Sequence, residues 1–249
     1  MTSAPTTATF DRDDWWREDG FLIGLHTLLD PARVPYVLSV LQPESQVLDV
    51  GSGGGFLAQA MAGVGHRVFG VDPSAAAVRA ANDTDTGSFA IGRGEQLPFP
   101  TSSFDAVVCS EVLEHVAAPA HVISEMARVL RPGGRLLFSH PNRTRLSKLT
   151  LIEAAQRWRW SRVLPGDLHQ WDRFIRPEEL TRMLDRRGIQ VQDIAGLSIP
   201  PGAWMATARA LMRLRRGRIG FGEAGDAIDL RVGGSTAVAY IGYATLVAE

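Results

Sequence analysis

The chain is predicted to be an α/β protein built on a parallel β-sheet with right-handed crossovers. Three observations predict it. Short apolar runs alternate with helical segments from about residue 45 onward. The first run breaks into a glycine-rich turn, VLDVGSGGGF at 47–56. The second run ends in a carboxylate, Asp72, 21 residues beyond Gly51.

The elements follow in order. Residues 1–10 are rich in Thr, Ala, Ser and Pro and are expected to be disordered. Residues 11–41 read as helical pieces limited by Pro31 and Pro35. QVLDVG (46–51) is a strand, and FLAQAMAGVG (56–65) a helix stopped by glycine. HRVFGVD (66–72) is the second strand, followed by a helix at 73–82 that opens on Pro73. SFAIGR (88–93) and FDAVVCS (104–110) are strands three and four, and 118–130 is the next helix. The turn RPGG (131–134) leads into strand RLLFSHP (135–141). Residues 142–176, rich in Arg and Trp and without a convincing strand, break the alternation and read as an inserted lid. After them come an amphipathic helix at 177–188 closed by Gly188, a strand at 189–199, an arginine-heavy helix at 203–218 and a last strand at 235–248. No repeat and no linker appears, so the chain reads as one domain over 1–249, with an N-terminal helical cap segment at 1–41 and a lid at 142–176.

Composition bounds the function. The 249 residues are 45% hydrophobic and 21% charged, which excludes wholesale disorder. Basic and acidic side chains number 26 and 27, so no global positive field exists to gather nucleic acid, and none is expected as a partner. One cysteine, Cys109, forms no internal disulfide and fits a reducing compartment. No apolar run approaches the ~18 residues of a membrane span. With no apolar stretch at its start, the chain reads as cytoplasmic.

The glycine turn carries the chemistry. Glycines let a ligand approach the backbone, and the helix behind them offers free N–H groups. Gly51, Gly53, Gly54 and Gly55 are out of register with the GxGxxG phosphate loop, and Asp49 precedes them. An acidic residue there suits an ammonium or sulfonium ligand better than a pyrophosphate. Asp72 can accept the two hydroxyls of a ribose, or can cap the helix that follows; the glycine turn favours the ribose.

With GRGEQLPFPTSSFDAVVCSEVLEHV and MARVLRPGGRLLFSHPN in view, residues 45–142 resemble the class I S-adenosylmethionine-dependent methyltransferases. The resemblance implies a Rossmann-like, seven-stranded, mostly parallel sheet with its last strand antiparallel and helices on both faces. It implies that Asp49, Gly51, Ser52 and Gly53 surround the methionine part of S-adenosylmethionine. Asp72 and Pro73 would lie at the ribose, Gly94 and Glu95 near the adenine, and Ser110 and His115 beside the cofactor. Arg93 stands where many relatives carry an acidic residue, so the adenine contacts are less defined.

The flanks resemble the demethylubiquinone and polyprenyl-hydroxyphenol O-methyltransferases. Trp15, Trp16, Gly20, Leu25, His26, Pro31 and Arg33 match on one side, and Asn142, Arg143, His169, Trp171, Phe174, Ile175 and Pro177 on the other. One extra residue separates His26 from Pro31, and Asp30 replaces Asn. The resemblance implies that Arg33 reaches the cofactor carboxylate, a bidentate pairing. It also implies an aromatic hydroxyl acceptor, which needs a base because a phenol near pKa ~10 is mostly neutral at pH 7. His169 is the first candidate, with His140 and His26 behind it; for His169 a structural role in the lid is the alternative.

Glu111, Glu114 and His115 form ExxEH, and on a helix these positions share a face on which metal ligands could converge. The ubiquinone-pathway family has this triad and is associated with a divalent cation, Mg2+. The same string occurs in metal-free class I enzymes, so both readings stay open. The arginine and tryptophan clusters at 157–162 and 211–218 read either as a peripheral membrane contact or as a solvated face and mobile lid. N- or C-methylation, a non-catalytic cofactor-binding module and RNA methylation are the alternatives, because the core motifs do not encode the acceptor atom.

Overall fold

The computed structural model describes residues 10–16, 20–166 and 168–247. The segment expected to be disordered falls, but for Phe10, outside these. Eight strands form one sheet in the order β3-β2-β1-β4-β5-β8-β6-β7. They are β1 (Gln46–Val50), β2 (Arg67–Asp72), β3 (Ser88–Ile91), β4 (Phe104–Ser110), β5 (Leu130–Pro141), β6 (Ile189–Ser198), β7 (Arg231–Val232) and β8 (Ala239–Leu246). Strands β1 to β5 pair in parallel, and β8 runs antiparallel between β5 and β6. The antiparallel last strand is therefore as expected. The count is eight, not seven, because β7 adds a two-residue antiparallel edge to β6, too short to leave a periodicity in the sequence.

Helices cover both faces: α1 (Phe21–Val40), α2 (Phe56–Ala62), α3 (Ala75–Asn82), α4 (Pro119–Val129), α5 (145–157, a π-helix over Lys148–Arg157), α6 (Pro177–Asp185), α7 (Trp204–Arg215) and α8 (Phe221–Asp226). Strand side chains alternate between two cores. Leu48, Val107, Leu136 and Phe138 pack with Ile123 and Met126 of α4 and Leu180 and Leu184 of α6. Val47, Ala106, Val108 and Leu137 pack on the other face with Val37 and Val40 of α1 and Leu57 and Met61 of α2. Strands apolar on both faces are what a covered parallel sheet requires.

Two expectations are corrected here. Pro31 and Pro35 do not limit helical pieces; both lie inside the single helix α1. Each removes one backbone bond, at a cost of about 3 kcal/mol. Packing offsets that cost: Gly225 of α8 sits so close that an added Cβ would lie 2.9 Å from the Thr27 carbonyl carbon. Arg33, mid-helix, is tied to three other side chains. The turn expected at RPGG is instead an irregular stretch within β5, with Gly133 at φ +77° and a register shift opposite Phe104–Ala106.

Candidate active site

The loop after β1 owes its path to glycine. Gly51, Gly53 and Gly55 have φ of +74°, +52° and +78°. Gly51 and Ser52 donate to the Val71 carbonyl at 2.7 and 3.2 Å, which ties the loop to β2. A Cβ on Gly51 would come within 2.4 Å of the Val112 side chain, and one on Gly53 within 2.9 Å of the Trp16 ring. Asp72, ending β2, accepts from the backbone N–H of Gly53 at 3.0 Å and of Ser74 at 2.8 Å. The cap of α3 is Ser74, whose hydroxyl accepts from the Ala77 N–H.

These elements open onto a cavity of about 1410 Å³, above the roughly 300–1,000 Å³ usual for one ligand. Its polar end is lined by Arg33, Gly51, Gly53, Asp72, Pro73, Gly94, Glu95, Ser110, Glu111 and His115, together with His26 and His169. The rest of the lining, the apolar arm, is mostly apolar and comes from α5, the lid turn, α7 and residues 228–239, with Leu151, Val163, Trp204, Leu211, Leu230 and Val238 among it. Sequence reasoning missed that arm, because its walls come from four distant segments with no shared motif.

Asp49, Ser52, Glu114 and His140 do not line the cavity. Asp49 is buried in β1 beneath the loop, and burial pushes its carboxyl up to about 7 against the pull of Arg33. Burial also raises Asp72, only partly offset by its two N–H bonds. Ser52 is buried, and its hydroxyl has no partner within the described residues.

Arg33 is buried and held by Asp30, by the Ser110 hydroxyl at 2.7 Å and by His26 Nδ1 at 2.8 Å. A guanidinium only donates, so His26 Nδ1 accepts and His26 is neutral, in line with burial holding its pKa down. The same Nδ1 lies 3.5 Å from Asp30 Oδ2, so His26, Asp30 and Arg33 form one cluster on α1. Ser110 continues the chain to Ser139 (2.6 Å), and Ser139 donates to Glu111 at 2.8 Å.

The placement of His140 is a correction. It is 1% exposed, its Nε2 accepts from the Ile175 N–H at 3.0 Å, and its Nδ1 faces Glu114 at 2.9 Å. Nε2 is spent on holding the lid and Nδ1 faces buried Glu114, and the ring does not line the cavity where an acceptor would sit.

The metal-ligand face is also corrected. Residues 111–116 form a turn, not a helix, and Glu111 sits at φ +56°. That conformation sends Glu111 to Ser139, and its carboxylate is not part of the converging set. Burial first, then the Glu114 charge, raises Glu111 to about 7. Burial works to raise Glu114 too, but His140 and His115 outweigh it and hold it low. The residues that do converge are Glu114, His115 and His169, with one ligand atom from each within 4.8 Å of the others.

His169 lies in the lid, stacked on His115 at 5.5 Å and edge-on to Phe174 at 5.8 Å. Burial, then the neighbouring His115, lowers it to about 4.

Comparison with known proteins agrees with this architecture. A family profile described as "Methyltransferase domain" matches residues 48–138. The ubiquinone biosynthesis O-methyltransferase of Xanthomonas axonopodis pv. citri is 36% identical over 206 residues, covering 80% of this chain and 84% of that protein. Among solved structures, a chain of the complex of the Haloferax volcanii Trm112 methyltransferase activator with a methyltransferase superposes with TM-score 0.63. It is 20% identical, and 96% of this chain and 97% of that one are covered. The cyclase SpnF superposes with TM-score 0.60 at 22% identity, covering 87% and 81%. A cyclase on the same scaffold is a reminder that the fold alone does not fix the chemistry.

Proposed function

The chain belongs to the S-adenosylmethionine-dependent methyltransferase family, and from that premise we propose that it methylates a hydroxyl of a small aromatic acceptor of phenol, catechol or quinone type. The observation that carries this reading is the two-part cavity: a glycine-and-carboxylate end, an apolar arm, and the His169 ring on its wall.

The residues fit the cofactor. Gly51 and Gly53 present bare backbone on the cavity wall, and Asp72 offers a carboxylate at the end of β2. Asp49 and Asp72 are both destabilised as anions by burial, so a cationic group nearby is favoured over a second anion. Arg33, already preorganised by Asp30 and Ser110, supports the cofactor-carboxylate role. Ser52 donates its backbone N–H to the Val71 carbonyl of β2 and so holds the loop in place, while Gly94, Glu95 and Pro73 line the nucleoside side. Bound there, S-adenosylmethionine supplies a methyl already activated on sulfur, and the sulfur keeps the C–S electron pair.

The protein's part is then alignment, exclusion of water and one proton. The apolar arm holds the acceptor and supports an apolar substituent on it. His169 takes the hydroxyl proton as the oxygen forms its bond to carbon. A histidine near 4 is a weak base, but it is unprotonated at neutral pH, and the proton of an oxygen being alkylated is strongly acidic. A magnesium ion does not fit the converging set, because one carboxylate and two imidazoles are not the oxygen shell Mg2+ prefers.

The test couples binding and turnover. Calorimetry should give at least about tenfold weaker S-adenosylmethionine binding for Asp72→Ala, a loss of ~1.4 kcal/mol. Mass spectrometry should find methyl transfer to phenols or catechols. Methylation confined to amines would overturn the hydroxyl reading, and unchanged affinity in the variant would overturn the ribose role.

A further inference from the structure

Gln156 was not among the residues singled out by motif, yet it holds four atoms in one arrangement. It lies near the end of the π-helical part of α5 and is 2% exposed. Its Nε2 donates to the carbonyls of Gly166 (3.3 Å) and His169 (3.1 Å). Its Oε1 accepts from the His169 backbone N–H at 2.9 Å and faces His169 Nδ1 at 3.2 Å.

These contacts fix which end of the amide is which. Two carbonyls accept on one side, so that side is the NH2 group, and a backbone N–H donates to the other, so that side is the oxygen. An amide oxygen cannot donate. The imidazole nitrogen facing it must therefore carry the proton. That makes His169 the Nδ1–H tautomer and leaves Nε2 as the ring's only acceptor.

We infer that Gln156 is a positioning residue for methyl transfer: it locks the His169 ring in the tautomer whose Nε2 lone pair can receive the acceptor's proton. The assignment rests on the reading of His169 as the base. Gln156 does not line the cavity, whereas His169 does, so Gln156 acts only through the ring. The arrangement parallels bases oriented by a third group, with a neutral amide in place of a carboxylate. A neutral partner fixes the tautomer without stabilising the imidazolium. The His115 ring stacked on one side and Phe174 edge-on to the ring set the remaining freedom. The lid turn is folded back on the same segment, since Val163 and Leu164 both donate to the Ala155 carbonyl at 2.9 and 2.8 Å.

Nitrogen-15 spectroscopy of histidine-labelled protein tests this without any acceptor, with His169→Asn used to assign the signals. Expected is a protonated Nδ1 and an unprotonated Nε2 for His169, replaced by exchange between tautomers in Gln156→Leu. A protonated Nε2 in the parent protein, or an unaltered tautomer in Gln156→Leu, overturns the inference. With catechol as the acceptor, Gln156→Leu should lower kcat at least about tenfold with KM for S-adenosylmethionine within about twofold. Gln156→Glu keeps an acceptor against Nδ1 but loses the two donations to the lid. It should recover much of kcat, whereas a purely structural role predicts that Glu and Leu behave alike. If His169→Asn keeps full turnover, the base reading fails. If His169→Asn loses turnover and Gln156→Leu does not, the base reading stands and this inference falls.

Discussion

At the scale of single residues, the site is organised by charge that burial makes costly. Asp49 is 3% exposed and its carboxyl is raised to about 7, first by burial and then by the charges of Asp72 and Asp30, with Arg33 alone opposing. The sign of the effect on stability follows from linkage. The unfolded chain releases this proton near 4, the folded chain near 7. The group's contribution is complete below about pH 4 and is lost as pH rises through about 7, to an upper limit on the order of 4 kcal/mol. Asp49→Asn should therefore raise the melting temperature of the ligand-free protein at pH 8 and make little difference at pH 4. Equal shifts at both values in calorimetry would mean that Asp49 is not a buried, reluctant anion. The position itself was legible in the sequence, because an acid just before a glycine turn is conspicuous. The roles of Ser139 and Gln156 were not. Each acts through side-chain hydrogen bonds to residues 28 and 13 positions away in the chain, respectively, and carries no motif of its own.

Among the elements, the alternation over 46–141 was readable because strands covered on both faces are short apolar runs with glycine turns between them. Continuity of α1 through Pro31 and Pro35 was not, since it depends on packing against α8, itself a helix with two glycines in six residues. Nor was the turn at 111–116, where the sequence spacing suggested a helical face. The segment at 10–16 is another tertiary feature. Asp11 accepts from the Ala76 N–H at 3.0 Å at the start of α3, and Asp13 pairs with Arg79 at 2.7 Å. Trp16, bonded through its indole N–H to the Phe10 carbonyl at 3.0 Å, lies over Gly53 and Gly54. The segment thus straps the glycine loop from above. Trp16→Ala should weaken S-adenosylmethionine binding about tenfold, ~1.4 kcal/mol, mainly through faster dissociation. An unchanged dissociation rate in stopped-flow fluorescence would show that the strap does not cover the cofactor.

For the molecule as a whole, the question is how an acceptor reaches the apolar arm. Trp160 and Trp204 line the cavity and are also 61% and 48% exposed, with Met205 beside them at 69%. Trp158 stacks on Trp160 at 5.1 Å, and Arg215 of α7 donates to the Arg159 carbonyl, so the turn and the helix form one rim. Arg157 and Arg213 are paired with Glu153 and Glu223, but exposed Arg159, Arg162, Arg215 and Arg216 add positive charge around that rim on a chain whose net charge is -1. Indole rings beside arginines are suited to the interface of an anionic bilayer. No helix among the described residues is long and apolar enough to cross a membrane, so contact would be peripheral. The arrangement predicts that the protein co-sediments with phosphatidylglycerol vesicles at low salt. Binding should weaken as ionic strength shortens the Debye length to about 8 Å at 0.15 M. The double variant Trp160→Ser, Trp204→Ser should bind severalfold less while keeping its affinity for S-adenosylmethionine, because the side chains nearest Gly51, Gly53 and Gly54 are Val112, Trp16 and Phe56 and neither of these two rings. Equal sedimentation of variant and parent, or none for the parent at low salt, would confine these tryptophans to the cavity wall and leave the acceptor to enter from water.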